Sequence, residues 1–187
     1  MKRTVAVLAA LLLCLSVFLT ACTGKTEKPE DVYKNATGFE AALSVKTGES
    51  EFDFNVSRLK PDYFELNFTS PEILKHFTVI FNGNDVKLKY YGFELSLNRF
   101  PLPIEGGISK IVDVLSVIDD GYEKLELKEN EDGSLLYQGE GFSVKVSPND
   151  LLPISFEITL ENGGSYFITV KEFKLITNEG ANSSDES

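Results

Sequence analysis

Two cysteines, one histidine and 29 acidic side chains are the groups in this 187-residue chain with the most obvious chemistry to offer. Cys22 stands in a specific pattern. It closes Leu19-Thr20-Ala21-Cys22, after Lys2, Arg3 and an apolar run from Val5 to Phe18. A basic start, an apolar stretch too short to span a bilayer and small residues before a scission point mark an export signal that is removed. A cysteine directly after the small residues is the acceptor in the bacterial lipoprotein version. Its thiol takes a diacylglyceryl group and the residue becomes the new N-terminus, with a third acyl chain such as palmitate where one is added. The expectation is therefore a signal peptide at 1–21 and a body held to a bacterial membrane, outside the cytoplasm, by lipid on Cys22. Two or more chains suffice for stable anchoring.

The other reactive groups assemble into nothing comparable. Cys14 lies in the discarded run and Cys22 is consumed, so no disulfide or free thiol remains. His76 has no second histidine with which to build a metal set. Asp119-Asp120 and Glu129-Asn130-Glu131-Asp132 gather carboxylates, but without the spacing of a calcium loop, and read as a helix exit and a solvated hairpin tip. No serine sits in a nucleophile-elbow glycine pattern. The chain is read as a non-enzyme without cofactor or metal. Without Lys2 and Arg3, the 18 basic residues fall to 16 against 29 acidic ones, a formal charge of −13. Such a surface repels nucleic acid, which demands basic neutralisation. Attachment to an anionic bilayer then falls to the lipid rather than to side chains.

The elements behind these groups are mostly strands. Residues 22–36 are polar and read as a flexible tether, 37–177 as one domain, and 178–187 as a disordered tail. Within the domain, apolar residues recur with period two, the sign of strands with one buried face. Phe39, Ala41, Leu43 and Val45 begin the series; Phe52, Phe54 and Val56, then Phe64, Leu66 and Phe68, then Phe77, Val79 and Phe81 continue it. Asn82-Gly83-Asn84-Asp85 reads as a hairpin turn. Strands are expected again at Val86–Tyr90, Phe93–Leu97, Tyr122–Leu127, Leu135–Gln138, Phe142–Val146, Ile154–Leu160 and Tyr166–Val170. Ile108, Ile111, Val112, Leu115 and Ile118 fall instead at helical spacing, with Ser109 placed to serve near the N-terminus and Gly121 after the end. Ten or eleven strands and one helix predict a mainly β (α+β) fold: a large curved antiparallel sheet forming an incomplete barrel, covered on its concave side by the helix. A closed lipocalin-like barrel and a two-sheet sandwich share the same periodicity.

The run Phe64-Glu65-Leu66-Asn67-Phe68-Thr69-Ser70-Pro71 followed by Phe77 to Gly83 resembles a strand, proline corner and glycine-turned hairpin of the lipoprotein-carrier and receptor (Lol-like) superfamily and its lipid-binding envelope relatives. Leu152-Pro153-Ile154-Ser155-Phe156-Glu157-Ile158, Gly163-Gly164 and Ile168-Thr169-Val170-Lys171-Glu172-Phe173 are similar to its closing hairpin. The resemblance spans roughly residues 37 to 176 and implies a half-barrel whose interior accepts acyl chains. There is no long amphipathic helix before the first strand, which points to a static receptor or lipid binder rather than a shuttle. The expected ligand is a lipid or other apolar molecule. Its candidate contacts are Phe52, Phe54, Phe64, Leu66, Phe68, Phe77, Val79 and Phe81 on the sheet and Ile108, Ile111 and Leu115 on the helix. A filled core uses the same residues identically, and then the fold is an interaction module for an envelope protein or peptide. Replacing Cys22 by Ala removes the acceptor thiol; the variant should lose the acyl mass on intact-protein mass spectrometry and leave the lipid-modified membrane fraction.

Overall fold

A computed structural model describes residues 32–34, 36–60, 62–83, 85–98, 107–119, 121–130, 132–161 and 163–177. The signal segment, Cys22, most of the expected tether and the tail at 178–187 lie outside the described residues. The period-two pattern resolves into eleven strands: β1 (Ala36–Thr47), β2 (Ser50–Lys60), β3 (Tyr63–Ser70), β4 (Phe77–Asn82), β5 (Asp85–Tyr90), β6 (Phe93–Asn98), β7 (Glu126–Glu129), β8 (Leu135–Gly139), β9 (Phe142–Val146), β10 (Pro153–Thr159) and β11 (Ser165–Thr177). Among the described residues, the helix α1 (Ile108–Ser116) and a 3-10 turn (Glu72–Leu74) accompany them, besides the helical Val32 and Tyr33.

All strands belong to one antiparallel sheet in the order β6-β5-β4-β3-β2-β1-β11-β10-β9-β8-β7. Each strand pairs with its sequence neighbour except at the centre, where β1 meets β11 and joins the two halves. The sheet is curved but not closed, since β6 and β7 remain its two edges. This settles the choice among the three architectures in favour of the incomplete barrel. The β4–β5 turn falls at Gly83, whose φ of +59° suits a residue without Cβ.

Cross-strand partners face the same side of a sheet, so the register defines the inner face. One row runs Ala41, Val56, Leu66, Val79, Leu88, Leu95 towards β6. Another runs Val45, Ile168, Phe156, Val144, Tyr137, Leu127 towards β7. Apart from Leu95 and Leu127 at the edges, these rows and the inward stripe of α1, formed by Ile111, Val114 and Leu115, make one apolar cluster. A fully buried Phe or Leu contributes roughly 1.5 to 3 kcal/mol of transfer free energy. A core of this kind holds the domain without a crosslink.

Two local expectations are corrected. Ser109 is exposed and does not cap α1; Gly107 occupies the N-cap and offers no side-chain acceptor. Gly121 does follow the helix, its N–H bonded to the Ile118 carbonyl at 3.0 Å with φ +57°. The strand expected at Tyr122–Leu127 begins only at Glu126, because residues 121–124 turn. Tyr122 takes φ +66° so that its ring stacks on Tyr137, centroids 4.9 Å apart, and meets Tyr33 edge-on at 5.6 Å. Aromatic burial there outweighs the alternation that the sequence presents. Val32 and Tyr33 are helical, and Tyr33 docks beneath the body, donating to the Leu151 carbonyl at 2.9 Å.

Gly38 permits the closest backbone approach in the sheet: a Cβ there would lie 2.0 Å from the Arg58 carbonyl oxygen. Gly38→Ala should therefore destabilise the domain by about 3 kcal/mol, seen as a lower urea midpoint. Burial holds the Tyr33 and Tyr122 phenols protonated above their ordinary range. A raised folded pKa for a group that ionises on losing its proton leaves stability intact below the unfolded value of about 10 and erodes it above. Alkaline titration should show a late, cooperative phenolate absorbance that coincides with unfolding, and Tyr33→Phe should move that transition.

Candidate functional site

The inner face divides into a packed centre and open flanks. At the centre, Ile111, Leu115 and Ile118 of the helical segment are buried against Phe39, Phe54, Val56 and Leu66. The phenylalanines expected to meet a ligand pack on one another: Phe54 and Phe68 have centroids 5.5 Å apart, Phe52 and Phe68 5.8 Å, and Phe68 and Phe77 5.6 Å. Phe54, Phe64, Leu66, Phe68 and Val79 are buried, while Phe52, Phe77, Phe81 and Ile108 are half-buried. Phe68 and Phe77 also border a hollow of about 450 Å³ beside His76 and Tyr91. The other sheet residues of the expected set, and Ile108, Ile111 and Leu115 of α1, belong to or pack against the same apolar cluster.

Away from the centre the helix runs out. A cleft of about 860 Å³ opens between α1 and the β9–β10 side of the sheet, with Val114, Phe142, Ile158 and Leu160 as its apolar lining. Lys110, Asp113, Glu140 and Glu161 rim it. A second cavity, about 470 Å³, lies at the opposite end of the strands, where β1 starts and β2 ends. The inward rows also emerge into solvent at both edges: Leu95 is 55% exposed and Leu127 53%. Beside Leu95, Phe93 is 81% exposed.

Alternation alone did not single out the lining of the larger cleft. It marks Phe142, Ile158 and Leu160 as inward, but not as the inward positions that the helix fails to cover. One polar residue was readable and missed. Arg58 continues the inward series Phe52, Phe54, Val56, and the structure buries it, 7% exposed, with its guanidinium paired to Asp119 just beyond α1. That ion pair fastens the helix exit to β2.

The acidic groups serve local structure. Asp132 accepts from the Ser134 backbone N–H at 3.0 Å and from Lys145 Nζ at 2.7 Å, and Lys145 then Ser134 hold its carboxyl well below the usual range. His76 is exposed and lies against Tyr91 with centroids 4.9 Å apart. Among the described residues, no three His, Cys, Asp or Glu side chains converge to hold a metal, and no helix is long and apolar enough to cross a membrane. The arrangement offers apolar volume and a buried cation rather than a nucleophile beside a base.

No family model and no curated protein sequence matches this chain. Among solved structures, the chain is similar to a conserved protein of Thermus thermophilus at 18% identity, covering 78% of this chain and 83% of that one with a TM-score of 0.46. It is similar to a LolA superfamily protein of Nitrosomonas europaea at 10% identity, over 80% and 94% of the two chains, with a TM-score of 0.41. The Mycobacterium tuberculosis lipoprotein LppX matches at 15% identity over 76% and 89%, with a TM-score of 0.39.

Proposed function

We propose that this protein is a lipid-anchored, extracytoplasmic binding protein that holds a lipid or other apolar ligand against the inner face of its half-barrel and performs no covalent chemistry on it. The observation that carries the reading is the cleft of about 860 Å³ beside α1, where Val114, Phe142, Ile158 and Leu160 lie within a rim of Lys110, Asp113, Glu140 and Glu161. This lies within the 300 to 1,000 Å³ common for ligand sites, whose walls are mainly apolar with a few polar groups at the rim. Val114, Phe142, Ile158 and Leu160 take the acyl part. Phe68 and Phe77 offer a second contact zone. Phe52, Phe54, Phe64, Leu66, Val79, Phe81, Ile108, Ile111 and Leu115 form the supporting surface that the ligand extends. Each buried methylene is worth about 0.8 kcal/mol, so affinity scales with chain length. Lipid on Cys22 keeps the body beside a supply of such chains.

A second reading is favoured by Ile73, Tyr91, Phe93 and Leu95, which expose a large apolar surface near the β6 edge. Patches of this sort mark protein contacts as well as ligand grooves. In that reading an envelope protein or peptide occupies the edge and the clefts stay empty.

Native mass spectrometry of the lipidated protein, released from detergent, separates the two. The first reading expects co-purifying lipid, and displacement of that lipid by a fluorescent palmitoyl-length probe. Leu160→Trp fills the cleft from a half-buried position and should weaken the probe about tenfold, equivalent to 1.4 kcal/mol. Empty wild-type protein that ignores the probe, together with a single partner cross-linked in cells through the β6 edge, rejects the first reading for the second.

A further inference from the structure

Asp62, Asp85, Asp132 and Asp150 expose carboxylates at four turns of the domain, but the β5–β6 turn is of another kind. It presents Tyr90, Tyr91 and Phe93 to solvent, and Ile73 of the neighbouring 3-10 turn stands exposed beside them. The two turns are tied together. The Tyr90 hydroxyl donates to the Ile73 carbonyl at 3.2 Å, the Tyr90 and Tyr91 rings meet edge-on at 4.7 Å, and His76 lies against Tyr91. These apolar groups are therefore held out as one platform before anything meets them. Charge changes sign here as well: Lys75, Lys87 and Lys89 stand against Glu72 and Glu94, in a chain of net charge −11. Tyrosine rings and flanking lysines on apolar stems are the side chains that settle at a bilayer–water interface.

We infer that the β5–β6 turn and Ile73 dip into the anionic interface of the membrane that anchors the chain, and so choose which face of the body meets it. The inference rests on the lipid at Cys22 in the proposed function, but not on what the cleft holds. Reach permits it. Ten residues separate Cys22 from Val32, a length of about 35 Å when extended. Through the pairs Leu43–Phe54, Phe54–Phe68 and Phe77–Tyr90, the platform stands level with Leu43, seven residues or about 24 Å beyond Ala36 along the strands. Five strand spacings of about 4.8 Å separate β1 from β6, so even a flat sheet would put the platform about 34 Å away, and curvature shortens that. Area favours a bilayer over a protein: four exposed side chains compare with about 20 to 30 residues a side in a standard protein interface. Net charge opposes contact through the acidic turns, which leaves this lysine-rich platform as the face that an anionic surface attracts. The lipid attaches the body and the platform orients it. The hollow bordered by Phe68, Phe77, His76 and Tyr91 then lies at the bilayer surface.

The test puts an environment-sensitive fluorophore on a single added thiol in the lipidated protein, held in nanodiscs of phosphatidylcholine and phosphatidylglycerol. A label at Phe93→Cys should brighten severalfold and lose most of that emission to a lipid spin-labelled near its headgroup. A label at Asn149→Cys, on the exposed turn next to the Tyr33 contact with Leu151, should do neither. Ile73→Asp, at an exposed position, should reduce the Phe93→Cys response about tenfold, the equivalent of 1.4 kcal/mol, with the urea midpoint unchanged. A benzophenone on the same thiol in isolated native membranes should cross-link lipid. A silent Phe93→Cys label on protein that carries its acyl mass overturns the bilayer contact and leaves the anchor standing, as does quenching at Asn149→Cys alone, which puts another face on the membrane. A protein adduct in place of the lipid adduct overturns it in favour of a protein contact. Absence of the acyl mass overturns the anchor and the inference together.

Discussion

The seating of α1 on the sheet governs the interior, and its dimensions decide how much can be filled. Nine helical residues extend about 14 Å, and a helix with its side chains is about 10 to 12 Å across. Eleven strands spaced about 4.8 Å apart give a sheet roughly 48 Å wide along its curve. Rolling brings the two halves together over Ile111 and Leu115, so the centre is sealed. Among the described residues, no such helix seals the flanks as well. The cleft beside Val114 and the emergence of Leu95 and Leu127 are consequences of that mismatch.

The Arg58–Asp119 pair fixes where the mismatch appears. Residues 61 positions apart in sequence pin the helix exit to the end of β2. The helical segment then crosses from the β9–β10 side, where Lys110 and Val114 face Phe142, to the start of β1, where Ile118 meets Phe39. This pair contributes little net stability against a well-packed apolar equivalent, because Arg58 loses its hydration while Asp119 stays 30% exposed. Its value is positional: a purely apolar contact at this point would let the helix slide along the inner face. The open edges are managed separately. β7 is only four residues long and carries Glu126 and Lys128, while Glu94 of β6 pairs with Lys87 of β5 at 3.1 Å. Short or charged edges discourage strand addition from another chain.

Much of the fold was legible because period two is a local property. Phe52 through Phe81 announced both the strands and the face they bury, and the turns at Gly83 and Gly163 were marked by residues that tolerate positive φ. Helical spacing from Ile108 to Ile118 identified the covering element. Tyr122 escaped because its conformation is set by Tyr33 and Tyr137, partners distant in sequence. The site was less legible for a related reason. Alternation tells which residues point inward, not which inward residues the helix covers, and that depends on a path set by long-range contacts. Phe54 and Phe142 read alike in sequence, yet one lies in the sealed centre and the other in a cleft. Arg58 was the exception, a charge at an inward position that local pattern alone flags as needing an answer.

The packed centre and the open flanks of the inner face play separate parts. A sealed centre gives the domain its stability independently of any guest, since residues such as Leu66, Val144 and Val146 are buried by the protein itself. A guest in the flanks therefore adds its own burial free energy without having to complete the fold, and its departure leaves the domain intact. The formal charge of −11 opposes close contact with an anionic bilayer surface. Among the described groups, Arg58 breaks that polarity from inside, where low dielectric makes one cation count for more than it would in water.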